Sequence, residues 1–184
     1  MKKKKVGKGL GLSVDEESLN SACPLQLLFI NQLRTIFWAE TEMSHVYAGI
    51  DAGAADFVSP KLRSISGQFR ESSAGRIKRL ERILKLAGRQ VRGRKCEAVQ
   101  SLVGEMKSTL VNAHHGPMRD AHMVALLKRV GHYQMASYKS LTAFAQNLKE
   151  KEMLAMLHIN LLEVKESDRQ LNKEFPPNNA FFEV

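Results

Sequence analysis

The sequence predicts an all-α protein: an antiparallel four-helix bundle carrying one additional short helix. Three observations lead there. Apolar residues recur at steps of three and four along four stretches of about 25 to 30 residues, the period of a helix with one buried face. No stretch alternates with the period of two that a half-buried strand requires. The breaks between the stretches are mostly short and rich in proline, glycine and asparagine, so successive helices turn back alongside one another.

Residues 1–22 pass from lysine-rich to glycine-rich to acidic without an apolar period and read as a flexible basic tail. GKGLG within it has neither the spacing nor the preceding strand of a phosphate loop. The folded body, 23–174, opens at Pro24, a residue suited to a first helical turn. The first helix extends into the low 50s with Phe29, Leu33, Ile36, Glu40, Met43, Tyr47 and Ile50 on its buried stripe. Ser59-Pro60 supplies an N-cap and first-turn proline for the second helix, which ends near Gly88. Its stripe is Leu62, Ile65, Phe69, Ser72 or Ser73, Arg76 or Ile77, Leu80 and Leu84.

A shorter helix, 96–112, carries Val99, Leu102, Val103, Met106 and Leu110 and is expected to cross one end of the bundle. His114-His115-Gly116-Pro117 breaks the chain, and the adjacent histidines read as loop residues. The next long helix starts near Met118 and buries Val124, Leu127, Gly131, Gln134, Tyr138, Leu141 and Ala145. After a turn near Asn147 the last helix presents Leu154, Leu157, Leu161, Val164, Asp168 and Leu171, and Pro176-Pro177 stops it. The C-terminal tail, 175–184, includes NNAFFEV, whose two phenylalanines suit docking on the body or a partner.

Composition narrows the class. No run approaches the roughly 18 apolar residues of a membrane span, and no apolar segment follows the basic N-terminus as a secretory signal requires. A cytoplasmic protein with no membrane partner is the expectation. Cys23 and Cys96 read as free thiols. The net charge of +9 is concentrated: residues 61–95 hold twelve basic residues against Glu71 and Glu81, so the rest of the chain is close to neutral. Lys78, Arg82, Lys85, Arg89 and Arg92 recur at steps of four and three, opposite the apolar stripe. Such a stripe is most simply a solvated helix face. It also has the spacing to track phosphates, which makes sequence-independent, salt-sensitive binding of nucleic acid or another polyanion a second expectation.

Each stripe is interrupted near its midpoint by polar or very small residues: Glu40; Ser72 and Arg76; Gly131 and Gln134; and Asp168. The midpoints of antiparallel helices share one level, so these residues are expected to meet in a polar layer. A pair of metal ions between four helices needs about four acids and two histidines. Here the layer offers only Glu40 and Asp168. Glu163 faces away by this phasing, and His132 precedes the seam face by about a quarter turn.

LLFINQLRTIFWAE (27–40), GRIKRLERILKLAG (75–88), KCEAVQSL (95–102), MRDAHMVALLKRVGHYQMASY (118–138) and LLEVKESDRQL (161–171) together resemble the ferritin-like proteins of the YciE/YciF type. The resemblance spans 25–171. It implies a ferritin-like bundle, usually dimeric, linked with bacterial stress responses. Where the family reads E-H-Y-E on the third long helix, this chain reads G-H-Y-Q, without an acid at Gly131 or Gln134. The acid and following histidine or glutamine common on the second helix are replaced by Ser72 and Arg76. A run of three acids on the last helix becomes Leu162, Glu163 and Val164, while Asp168 remains. The resemblance thus implies a dismantled di-metal site.

A buried Arg76 needs carboxylate partners, and Glu40 and Asp168 are the acids expected at its level. Gly131 would make room for it, with Ser72, Gln134 and Tyr138 meeting the remaining hydrogen bonds. The functional expectation is a stress-associated, non-enzymatic structural or interaction protein, a homodimer by resemblance, with no cofactor. The alternative is a reduced iron or manganese site drawn from Glu40, Asp168, Glu163, Gln134 and His132.

Overall fold

The computed structural model describes residues 23–52, 58–112 and 116–176. The basic tail, the two adjacent histidines and the NNAFFEV segment lie outside the described residues. Five helices follow in order: α1 (Pro24–Ala52), α2 (Pro60–Leu86), α3 (Glu97–Asn112), α4 (Pro117–Asn147) and α5 (Lys151–Glu174). Among the described residues there is no strand. The fold is the expected all-α bundle. α1 pairs with α2 and α4 with α5 as antiparallel hairpins, and contacts of α2 with α5 and of α1 with α4 close the ring.

Helix ends follow local chemistry. Ser59 accepts the Leu62 amide at 3.2 Å, with Pro60 at the first helical position. The Ser59 amide is itself bound by Asp120 in the first turn of α4, at 3.2 and 3.3 Å, so one carboxylate ties the start of α2 to the start of α4. α2 ends with Gly88 at φ 65°, its amide on the Lys85 carbonyl and the Arg89 amide on the Leu84 carbonyl. That pair of bonds is the Schellman closure, which needs a left-handed residue. α4 ends identically, with the Lys149 amide on Gln146 and the Glu150 amide on Ala145, but the left-handed position at φ 60° is filled by Lys149.

The segment after Gly88 is laid along α1. The Arg94 amide donates to the Arg34 carbonyl at 2.9 Å, and a Cβ at Gly93 would stand 2.9 Å from that of Trp38, so this approach demands glycine. α3 does not cross an end of the bundle. Its contacts run from Cys96 against Tyr133, through Glu105 against Arg129, to Thr109 against His122. It therefore lies lengthwise and antiparallel on α4, with its other side on α1. The cause is its apolar triplet Val99, Val103 and Met106, which is buried along the flank.

The core is the expected stripe for most of its length. Leu33, Ile36, Met43, Ile50, Leu62, Leu80, Leu84, Leu141 and Leu157 are fully buried, each contributing about 1.5–3 kcal/mol by burial. On α5 the phase is rotated slightly. Met153 and Asn160 are buried, while Leu154 and Asp168 are only partly so.

Two substitutions test the turn chemistry. Lys149→Gly should stabilise the protein by up to about 1 kcal/mol and Gly88→Ala should destabilise it by a similar amount, read from urea unfolding midpoints. Opposite signs are required, because only one of the two left-handed positions already holds glycine.

Candidate functional site

Glu40 lies on the same face of α1 as Ile36 and Met43 and is completely buried. A lone carboxylate there would be untenable, so its partners define the site. Arg76 Nε donates to Oε1 at 2.9 Å, and the Tyr138 hydroxyl donates to the same oxygen at 2.9 Å. Ser73 Oγ donates to Oε2 at 2.9 Å. One carboxylate thus gathers α2 and α4 onto α1. α5 joins through Asn160, also fully buried, whose Nδ2 donates to the Tyr138 hydroxyl at 3.3 Å and to the Arg76 carbonyl at 3.4 Å. Arg79 Nε donates in turn to Asn160 Oδ1, and Arg79 pairs with Glu163. The Glu163 carboxylate also stands 3.9 Å from Arg76 Nη1.

Burial drives the Arg76 proton affinity down, but the Glu40 carboxylate outweighs it and the net shift is upward, so the guanidinium stays charged. Burial raises the Tyr138 hydroxyl well above its ordinary range, and the adjacent Glu40 charge raises it further. Tyr47 is raised as well, mainly by burial, with Arg76 opposing. Tyr133 is pushed up to about 12 by burial and by its contact with Cys96. Each phenol is therefore held protonated.

The geometry departs from the expected layer in four ways. The serine is Ser73, not Ser72, because 73 continues the steps from Phe69 to Arg76 whereas Ser72 is only half-buried. Asp168 does not reach Arg76. It lies eight residues beyond Asn160 on α5, about 12 Å along the axis at 1.5 Å per residue. There Oδ2 accepts from Asn172 at 3.1 Å and Oδ1 is 3.5 Å from His132 Nε2. Gln134 is buried, but its Nε2 has no hydrogen-bond partner, and a Cβ at Gly131 would meet open space rather than Arg76. Glu163 turns toward the arginines instead of away from the seam.

Asn160 and Arg79 belong to the site although the apolar pattern does not single them out. The signal for Asn160 is the three- and four-residue spacing from Met153 through Leu157 to Val164, which the neighbouring Leu161 obscures. Nothing in the pattern distinguishes Arg79 from the solvent-facing basic residues.

The five residues considered for a metal do not converge. Glu40 is already bonded by three donors, and His132 is 68% exposed with its ring beside Asp168. Among the described residues no group of three or more His, Cys, Asp or Glu side chains is arranged to hold an ion. A divalent cation at the level of Glu40 would confront a guanidinium already bonded to it, so the donor set does not fit a di-metal centre. Of the basic stripe, Lys78, Lys85 and Arg92 are exposed, Arg89 is half-buried with a partner, and Arg82 is paired with Glu152 of α5 at 2.5 Å.

The fold and site together define an α-helical bundle whose centre is an ion-paired polar cluster. The chain belongs to the family defined by a domain of unknown function, DUF892, whose model matches residues 24–179. It is 25% identical over 145 residues to Protein YciF of Escherichia coli (strain K12), covering 78% of this chain and 86% of that one. Among solved structures it resembles YcfI of Rhodopseudomonas palustris, described provisionally as a structural protein, with a TM-score of 0.75 at 25% identity over 84% of this chain and 96% of the other. The crystal structure of the E. coli stress protein YciF matches with a TM-score of 0.75 at 24% identity, over 83% and 94% of the two chains. No described helix is long and apolar enough to cross a membrane.

Glu40→Leu alone should cost about 3–5 kcal/mol, because the buried Arg76 loses its hydrogen-bonded carboxylate and keeps only Glu163 at 3.9 Å. Glu40→Leu combined with Arg76→Met should recover most of that loss, a coupling measurable by a double-mutant cycle in urea. The tyrosines set the alkaline limit. Their folded pKa values lie above the unfolded value near 10, so the stability they contribute is complete below pH 10 and declines as pH rises beyond it. Ultraviolet titration should show little phenolate in the folded protein at pH 10 to 11, with the remainder appearing together with unfolding.

Proposed function

We propose that this protein is a metal-independent, non-enzymatic member of its family, a stress-associated structural or interaction module. The observation that carries this reading is the bond from Arg76 to Glu40. A permanent, protein-borne cation stands against the acid that the resemblance identifies as a surviving ligand position, and that acid is held by three donors from two helices, α2 and α4. Such a centre does not exchange ligands, bind dioxygen or change oxidation state. What it can do is fix the register of four helices and present their outer surfaces. The description of YciF as a stress protein and of YcfI as a structural protein is consistent with that role.

Homodimerisation is part of the same proposal. The resemblance implies it, and α5 leaves Ile159 and Leu162 exposed three residues apart, 46% and 63% accessible. A second reading, sequence-independent binding of polyanions, draws support from the exposed Lys78, Lys85, Arg92 and Arg94 on α2 and the segment following it. Arg82 contributes less to such a surface, being paired with Glu152.

Protein prepared under iron- and manganese-replete conditions should carry far less than one metal equivalent per chain, and chelation should leave its unfolding midpoint unchanged. One or two tightly held ions that stabilise the fold would replace this reading with the iron or manganese alternative. For the second reading, affinity for duplex DNA should fall steeply between low and moderate salt; no binding at low salt would remove it.

A further inference from the structure

The cluster leaves three polar atoms without a hydrogen-bond partner, and the residues that own them line one small cavity. Arg76 Nη1 and Gln134 Nε2 are donors, and Asp168 Oδ1 is an acceptor. Arg76 and Gln134 are 2% and 3% exposed, so bulk solvent does not satisfy them. The cavity is walled by Tyr47, Phe69, Leu127 and Gly131 and has about 20 Å³ of space for the centre of a water molecule. A single water needs roughly 10–15 Å³ by that measure and typically makes about three hydrogen bonds when buried.

We propose that this cavity is a binding site for one resident water molecule, which accepts from Arg76 Nη1 and Gln134 Nε2 and donates to Asp168 Oδ1. The surroundings select that occupant. Two N–H donors, one of them a guanidinium, repel a metal cation. The carboxylates of Glu40, Glu163 and Asp168 face Arg76 and Arg79, with His132 Nε2 3.5 Å from Asp168 Oδ1, so no excess positive charge invites an anion. The volume excludes a larger solute. A neutral molecule that accepts twice and donates once matches the three atoms.

The site also gives Gln134 and Gly131 a common purpose. Neither Gln134 nor Asp168 makes a hydrogen bond to Arg76 directly, so the water is the link that carries the cluster from α2 to this part of α4 and α5. Gly131 lines the same space, and a Cβ there meets nothing within 4 Å, so the water has room on that side. The water site rests on the metal-independent reading, and the test separates the failure of one from the failure of the other.

The decisive experiment is a crystal structure of the full chain, grown once with manganese and once with bromide, at a resolution that shows ordered solvent and with anomalous scattering recorded. One water peak within about 3.2 Å of all three atoms, without anomalous signal, is expected in both crystals. A manganese peak would overturn the site and the metal-independent reading together. A bromide peak, an empty cavity, or a Gln134 amide turned onto another protein group would overturn the water alone. In solution, Gly131→Ala should lower the thermal midpoint by displacing the water, and Gly131→Ser should lie above Gly131→Ala because its hydroxyl restores part of the bonding. If both variants raise the midpoint, as helix propensity alone requires, the proposal fails.

Discussion

A carboxylate with no access to solvent, Glu40, is the constraint around which this bundle is organised. Its charge has to be met where it stands, and each donor that meets it comes from a neighbouring helix: Ser73 and Arg76 from α2 and Tyr138 from α4. Apolar stripes alone tolerate small sliding of one helix on another, because leucine against leucine is forgiving of register. A hydrogen-bonded carboxylate is not. Moving any partner by one residue along its axis would leave a buried charge or a buried donor unpaired, which is costlier than a packing defect.

The cluster also explains the order in which the helices matter. α1 and α2 are joined by the full ion pair, whereas α5 enters at second hand, through Asn160 on Tyr138 and through Glu163 on Arg79. α3 stands outside the cluster altogether and is held by its apolar triplet and by contacts such as Glu105 with His122 on the α4 flank. The central polar network thus unites the four long helices, and the short helix is an addition to their outer surface. Relatives matched over most of the chain at about a quarter identity, with a TM-score of 0.75, share this architecture.

The charges at the centre of the bundle are met by protein groups: Glu40 by Arg76, and Glu163 by Arg79 with Arg76 at 3.9 Å. Arg76 makes no direct hydrogen bond to Asp168 or Gln134, and the cavity that all three line lies between them.

The helices, their limits and most of their buried faces follow from the order of amino acids alone. Those depend on local spacing: Phe29 through Ile50 repeat at three and four, Ser59-Pro60 supplies an N-cap and a first-turn proline, and Gly88 closes a helix. That order also singled out Glu40 and Arg76, because a charge on an apolar stripe is conspicuous. What it did not determine was which polar side chains touch. Ser73 rather than Ser72, Asn160 beside Leu161, and Asp168 about 12 Å along the axis from Asn160 all depend on the rotation and axial offset of one helix against another. A rotation of a fraction of a residue exchanges one buried side chain for its neighbour while leaving the apolar periodicity intact. α3 lies along the flank for a related reason: its periodicity specifies that one face is buried but not against which helices. Only the packed bundle, where each buried polar atom has to find a partner within hydrogen-bond reach, decided those questions.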